Sequence, residues 1–372
     1  MFLAFNEIRR GPVRFSLLAL AIGLLLFLVL FQQAIQNGLI TSFVGALRNQ
    51  SAPVIVYSLD GQRTLQGSTI SEEVEASIRS VDGIDAAARV DQATFTVRVD
   101  DETSDASILG TEDPSLGRPA ELSGGRAPEA EGEAIGSDTD FAVGDEVTVV
   151  AGGDADPITI EVVGVARDVQ LSVEPTLFTD LATYEAAVRA VNPRAPTVPV
   201  NAIFVRPADG VDPSELADRI NEAAPDADAV TREVAADTAP GVAQVRQSFQ
   251  IIFALYAMVV PLVTGLFFLI ITLQKARSLT LLRAVGARTG TLASALVTQV
   301  VAVTVAGIVV GVGLYALVTG GAQIGGLTLR FDPTLVAVWA GGFLLLAVVG
   351  SLASLRRVLR IDPIDATTGP GT

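Results

Sequence analysis

The sequence predicts an α-helical polytopic membrane protein of four transmembrane helices, with an α+β extracytoplasmic domain containing a small β-rich insert. Three observations carry that class. Four intervals hold no charged side chain: Arg14 to Arg48 encloses 33 residues, Arg246 to Lys275 encloses 28, Arg288 to Arg330 encloses 41 and Asp332 to Arg356 encloses 23. Each can supply a bilayer-spanning helix of roughly 20 mostly apolar residues. Basic residues gather in the short flanks of these intervals. Residues 1–14, 274–291 and 356–372 hold 10 of the 25 Lys+Arg, and the positive-inside rule sets them, both termini included, in the cytoplasm. The long region between the first two spans carries 37 Asp+Glu against 14 Arg, net −23, and is assigned outside.

Composition excludes several function classes. The chain is 50% hydrophobic with a mean hydropathy of +0.50, so it is built for a membrane. There is no cysteine, hence no disulfide, thiolate metal site or thiol nucleophile. There is no histidine, hence no Ser-His-Asp triad and no imidazole ligand or base. The single lysine, Lys275, follows no glycine-rich loop, so a P-loop is missing. No catalytic or metal-ligating residue is assigned. The acidic pairs Glu72-Glu73 and Asp100-Asp101 read as solvated surface. The acid excess argues against nucleic acid as a partner, since like charges repel. The spans carry no Asp, Glu, Lys, Arg or His, which disfavours an ion-coupled carrier. Of the 25 basic residues 24 are Arg; a GC-rich genome explains that bias, and a salt-loving source would explain the carboxylates as well.

In chain order, residues 1–14 form a short cytoplasmic interfacial helix, with Phe2, Leu3 and Phe5 on one side and a break at Gly11-Pro12. Residues 15–50 form the first span and a stalk. The apolar spacing continues past Gln32, Gln33 and Gln36, so one helix leaves the membrane. Residues 51–240 are the extracytoplasmic domain. A strand opens it at Pro53–Ser58. A helix follows, with Ser71 as N-cap and Ile70, Val74 and Ile78 on one face. Ala93–Val99 alternates as a strand. Glycine and acidic turns then separate short strands in a β-rich insert at about 107–169. Val200–Arg206 is a further strand, and Asp212-Pro213-Ser214 starts a helix. The two βα halves share an element order that hints at an internal repeat. Residues 241–273 form a second stalk and span, kinked by Pro261. Residues 291–318 and 333–355 are the third and fourth spans, joined by an outer loop at 319–332. Gly307, Gly311 and Gly341 are positioned for close helix packing. Residues 356–372 are a cytoplasmic tail.

The stretch between the second and third spans, residues 274–290, is both basic and apolar. Leu279 to Val285 is too apolar for a solvated loop and too short to cross a membrane. A helix there can dock Leu281, Leu282 and Val285 into a partner's groove, with Arg277 and Arg283 beside them, and Gly286 would stop it. The bland role of such a patch is contact with anionic lipid heads.

The order of these features resembles the MacB/FtsX type of ABC-transporter permease across nearly the whole chain. FNEIRRGPVRFSLLALAIG at 5–23 is similar to the family's N-terminal entry. Residues 110–150 and 158–168 resemble its outer core domain. KARSLTLLRAVGART at 275–289 is similar to its cytoplasmic signature, and IDPIDA at 361–366 to its C-terminal ending. The resemblance implies a homodimer or paired permease and a separate ATP-hydrolysing subunit that binds the ATP and Mg²⁺. It implies no cofactor in this chain. It also implies mechanotransmission, in which cytoplasmic motion passes along the stalks to the outer domains. MacB itself carries a fused ATPase and this chain begins at the membrane, so the ATPase is expected on another polypeptide. The alternative is an FtsX-like regulator that transports nothing and controls a cell-envelope enzyme or division partner.

Overall fold

The computed structural model describes residues 12–152, 155–194, 199–284, 289–320, 323–324 and 327–359. The chain divides into two compact units, Met1–Gln36 with Ser248–Thr372, and Asn37–Gln247. Helix α1 spans Pro12–Arg48. Next come β1 (Val54–Ser58), α2 (Glu72–Arg79), β2 (Ile84–Val99), β3 (Glu102–Thr111), β4 (Gly124–Gly125), β5 (Glu133–Ser137), β6 (Glu146–Val149), β7 (Ile158–Ala166) and β8 (Thr176–Asp180). They are followed by α3 (Leu181–Val191), β9 (Ala202–Pro207), α4 (Pro213–Ala223), β10 (Ala227–Thr231) and α5 (Arg232–Thr238). Three long helices close the chain: α6 (Val242–Ala284), α7 (Thr289–Thr319) and α8 (Pro333–Leu359).

In the Asn37–Gln247 unit the ten strands make one sheet, ordered β10-β1-β9-β2-β3-β8-β5-β7-β4, with β6 pairing β2 and β7. The segments β1-α2-β2 and β9-α4-β10 interleave. Strand β9 runs antiparallel between β1 and β2, and β10 lies antiparallel outside β1. These are two split βαβ units, which accounts for the repeated element order in the sequence. Both helices start at capped turns. Ser71 Oγ accepts from Val74 N at 3.3 Å, and Asp212 Oδ1 accepts from Ser214 N at 2.8 Å with Pro213 next to it. Their apolar faces, Ile78, Leu216 and Ile220, close over Val54, Val56, Ile203 and Val205. On the other face Ile55, Tyr57 and Phe204 pack with Ile40, Val44 and Leu47 of α1 and with Ala235 and Ala236 of α5. Burying each such aliphatic or aromatic side chain contributes about 1.5–3 kcal/mol.

The β-rich segment does not form a separate sheet. Strand β2 is 16 residues long. Its first half pairs β9 and its second half pairs β3, from Val90↔Thr111 to Val99↔Glu102. The insert therefore extends the same sheet. Asp100 and Asp101, at φ 46° and 66°, make the tight turn between β2 and β3, where both central residues need positive φ. Glu72 and Glu73 sit in the first turn of α2, where the helix dipole favours acids. A third core beneath α3 gathers Val97, Ile108, Val147, Ile160 and Leu177 around Tyr184 and Ala187.

Four helices among the described residues are long and apolar enough to cross a membrane: Phe15–Arg48, Val242–Leu266, Val297–Thr319 and Pro333–Gly350. Ile22, Leu26 and Leu30 of α1 cluster with Val260 of α6, Val300 and Val303 of α7, and Phe343 and Ala347 of α8. Helix α6 passes through Pro261. It also continues through Gln274 to Ala284. Gln274 to Ala284 is thus the end of the helix that carries the second span, and 285–288 lie outside the described residues.

Candidate coupling site

Arg277, Leu281, Leu282 and Arg283 fall on the last turns of α6. Val285 and Gly286 lie outside the described residues, as do most of the interfacial segment and the tail after Leu359.

The small-residue contact in the membrane unit is between α1 and α7. A Cβ on Gly307 would sit 2.8 Å from the Ala19 carbonyl and 2.9 Å from Ile22 Cβ. A Cβ on Gly311 would sit 2.6 Å from the Gly23 carbonyl, and one on Gly23 would sit 2.8 Å from the Gly307 carbonyl. The spacing of Gly307 and Gly311 places both on the same helix face, and Gly23 answers from α1. Gly341 differs: nothing lies within 4 Å of its added Cβ. The close backbone approach therefore involves Gly23, Gly307 and Gly311, and Gly341 has no part in it.

In the outer unit the end of α1 is held by the loop after β7. Ser172 N donates to the Phe43 carbonyl at 3.0 Å and Val173 N to the Ser42 carbonyl at 2.9 Å. Ala46 N donates to the Gln170 carbonyl at 3.0 Å, and Asn49 Nδ2 to the Asp168 carbonyl at 2.6 Å. Gly45 permits this approach, because any Cβ there would overlap the Asp168 carbonyl. Asp168, Ser172 and Val173 have φ of 56°, 55° and 64°. Positive φ is costly for a β-branched side chain, and Val173 adopts it while its N–H bonds the Ser42 carbonyl of α1. The stalk ends also share one carboxylate. Arg48 of α1 and Arg246 of α6 both donate to Asp237 Oδ1 of α5, at 3.1 and 2.6 Å. These groups are well exposed, so each ion pair contributes about 0–1 kcal/mol. Sequence reasoning missed this clamp. A glycine inside a helix, Gly45, was its one visible signal.

Two further polar clusters involve β2. Glu75 is buried and meets Arg79 at 2.9 Å and Arg89 at 2.8 Å. Burial pushes its carboxyl up, but hydrogen bonds from Arg89 and Arg79 and their charges outweigh that and lower it. Asp91 is 2% exposed. Its Oδ1 accepts from Asn201 N at 2.9 Å, while Asn201 Oδ1 accepts from Gln92 N at 2.8 Å. Burial raises the Asp91 carboxyl to about 6, against the lowering effect of the Asn201 hydrogen bond and the Arg89 charge. Both clusters tie β2 to its neighbours. Among the described residues no group of three acidic, histidine or cysteine side chains gathers to hold a metal.

Residues 15–223 match the MacB-like periplasmic core domain family, and residues 250–363 match the FtsX-like permease C-terminal family. A putative hemin transport system permease protein, HrtB, of Staphylococcus haemolyticus is 23% identical over 375 residues, covering 99% of each chain. An uncharacterised ABC transporter permease of Mycobacterium tuberculosis (strain H37Rv) is 23% identical over 382 residues, covering 100% of each. Among solved structures, the periplasmic region of MacB from Actinobacillus actinomycetemcomitans aligns at 13% identity and a TM-score of 0.36, over 52% of this chain and 96% of that one. The extracellular domain of the transporter YknZ from Gram-positive bacteria aligns at 14% identity and a TM-score of 0.33, over 48% and 98%.

Proposed function

The chain belongs to the MacB-like periplasmic core domain family and is an ABC transporter permease of the MacB/FtsX type, and from that premise we propose that it couples a partner's ATP hydrolysis to movement of its outer domain. The ATPase is a separate cytoplasmic subunit, and it binds the ATP and Mg²⁺. It engages the end of α6 through Arg277, Leu281, Leu282 and Arg283, with Val285 and Gly286 continuing the contact. Both chain termini share its side of the membrane. A second copy of the permease completes the assembly. The motion serves export or extraction of a substrate at the outer face.

The observation that carries this reading is the way the chain joins its two units. Both boundaries, after Gln36 and after Gln247, fall inside helices α1 and α6. A helix of 37 residues is about 55 Å long at 1.5 Å per residue, well beyond a hydrocarbon core of about 30 Å. Its outer end is clamped by backbone bonds to the loop after β7. A displacement applied to such a helix is delivered to the sheet.

The test is capture of the ATPase by detergent-solubilised permease. Leu281→Asp and Arg283→Glu are expected to abolish capture while the protein still inserts in the membrane. If both variants retain the ATPase at the wild-type level, the contact is not at the end of α6. Hemin, the cargo in the name of the staphylococcal relative, is the first substrate to assay for ATP-dependent movement.

A further inference from the structure

The outer unit holds a cavity of about 290 Å³ between the sheet and two loops, lined by Val90 of β2, Leu109 of β3, Ile135 of β5 and Phe178 of β8, and by residues of 114–118 and 128–131. That is near the lower end of small-molecule sites, roughly 300–1,000 Å³. The four strand residues are buried, and they give the cavity an apolar floor. Its polar groups are nearly all committed within the fold. The Thr111 hydroxyl donates to the Leu116 carbonyl at 2.9 Å, and the Thr179 hydroxyl to the Glu133 carbonyl at 2.9 Å. Asp180 caps α3, with Oδ1 accepting from Thr183 N and Oδ2 from Thr183 Oγ1.

Arg118 is the exception. It lines the cavity, is half-buried, and its side chain makes no hydrogen bond or ion pair with another described residue. This is unusual in a region with 37 carboxylates, where Arg48, Arg63, Arg79, Arg89 and Arg126, for example, each meet an acid. Its guanidinium stays within reach of solvent at the cavity and keeps its donors uncommitted, and a carboxylate is the partner whose geometry suits its fork. The remaining charged groups limit what that anion can be. Glu129 and Glu131 are exposed and also line the cavity, and they repel a multiply charged anion.

We propose that this cavity binds a small amphipathic monocarboxylate, its apolar body on Val90, Leu109, Ile135 and Phe178 and its carboxylate on Arg118. The size suits one apolar amino-acid residue, free or at the C-terminus of a peptide. The proposal stands independently of how the chain couples to an ATPase.

The test uses the full chain in lipid nanodiscs and titration calorimetry with N-acetyl-L-phenylalanine as the probe. Its neutral amide, phenethylamine and inorganic phosphate are the comparison ligands, and a Phe-terminated tripeptide separates the free residue from the peptide end. The acid is expected to bind at least about tenfold more tightly than the amide, as a charge-assisted contact requires. Arg118→Ala should bring the acid down to the level of the amide. Ala130→Trp, at an exposed position of the rim, should block the acid without touching Arg118. Hydrogen exchange of both variants is expected to match wild type away from the cavity, and ATPase capture should be unchanged. Equal binding of acid and amide, undiminished binding by Arg118→Ala, preference for phenethylamine or phosphate, or no binding of the acid at millimolar concentration would each overturn the proposal.

Discussion

Asp91 is the residue at which a single ionisation acts on the fold. Its carboxyl is almost completely enclosed and is raised to about 6, chiefly by burial. The folded state therefore binds a proton more tightly than the unfolded chain does. The stability tied to that proton is fully present below about pH 4 and is lost as pH rises through about 6. A shift from 3.8 to about 6 corresponds to about 3 kcal/mol at neutral pH. Asp91→Asn keeps an acceptor for Asn201 N and removes the charge. Denaturant unfolding should find it more stable than wild type by about 1–3 kcal/mol at pH 7.5, with the gain vanishing below about pH 4. An equal difference at both pH values would show that charge burial is not the cause. None of this was legible in the sequence. Asp91 precedes Gln92 in an ordinary polar stretch, and only the pairing of β2 with β9 brings Asn201 to it.

At the scale of elements, the contact of α1 with α7 depends on the absence of side chains. Gly307→Val would put its Cβ against the Ala19 carbonyl and Ile22, both parts of a packed helix face. Overpacking of this kind costs about 1–3 kcal/mol, and thermal unfolding in detergent should show a lower midpoint. Gly341→Ala meets nothing within 4 Å and should leave the midpoint within the range of a neutral surface change, about 0.5 kcal/mol. Equal loss from both variants would mean that the close approach of Gly307 to α1 is not what sets the cost. The sequence singled out Gly307 and Gly311 by their spacing and Gly341 as a further small residue, but neither signal says which face meets a neighbour. Several elements were legible for a local reason. Ser71 and Asp212 cap their helices by bonds to amides two or three residues on, so the signal and the structure lie in the same few residues. Helix α3 carries the same signal at Asp180, where no element is assigned from the sequence.

For the whole molecule, the dominant quantity is the −23 of the region between the first two spans. Like charges on one compact unit repel, and salt screens them over a Debye length of about 10 Å at 0.1 M and 3 Å at 1 M. Raising NaCl from about 0.05 to 1 M should raise the unfolding midpoint of the outer sheet, followed by hydrogen exchange of β1 and β9 in the full chain. No gain with salt would mean that its ion pairs already offset the repulsion.

The sequence by itself determined the four spanning helices, the large acidic domain between the first and second, and the family. The bilayer acts as a solvent, and apolar runs of sufficient length answer to it residue by residue. Only the tertiary structure decided the rest. It merged the β-rich segment into one sheet through a 16-residue β2. It carried α6 unbroken to Ala284. It set Gly23 against Gly307 and Gly311, clamped α1 with a strained loop more than a hundred residues away, and left Arg118 beside an apolar cavity. Each of these depends on which distant segments meet. Strand pairing and close backbone approach are fixed by the energy of the assembled core, which no local pattern of residues contains.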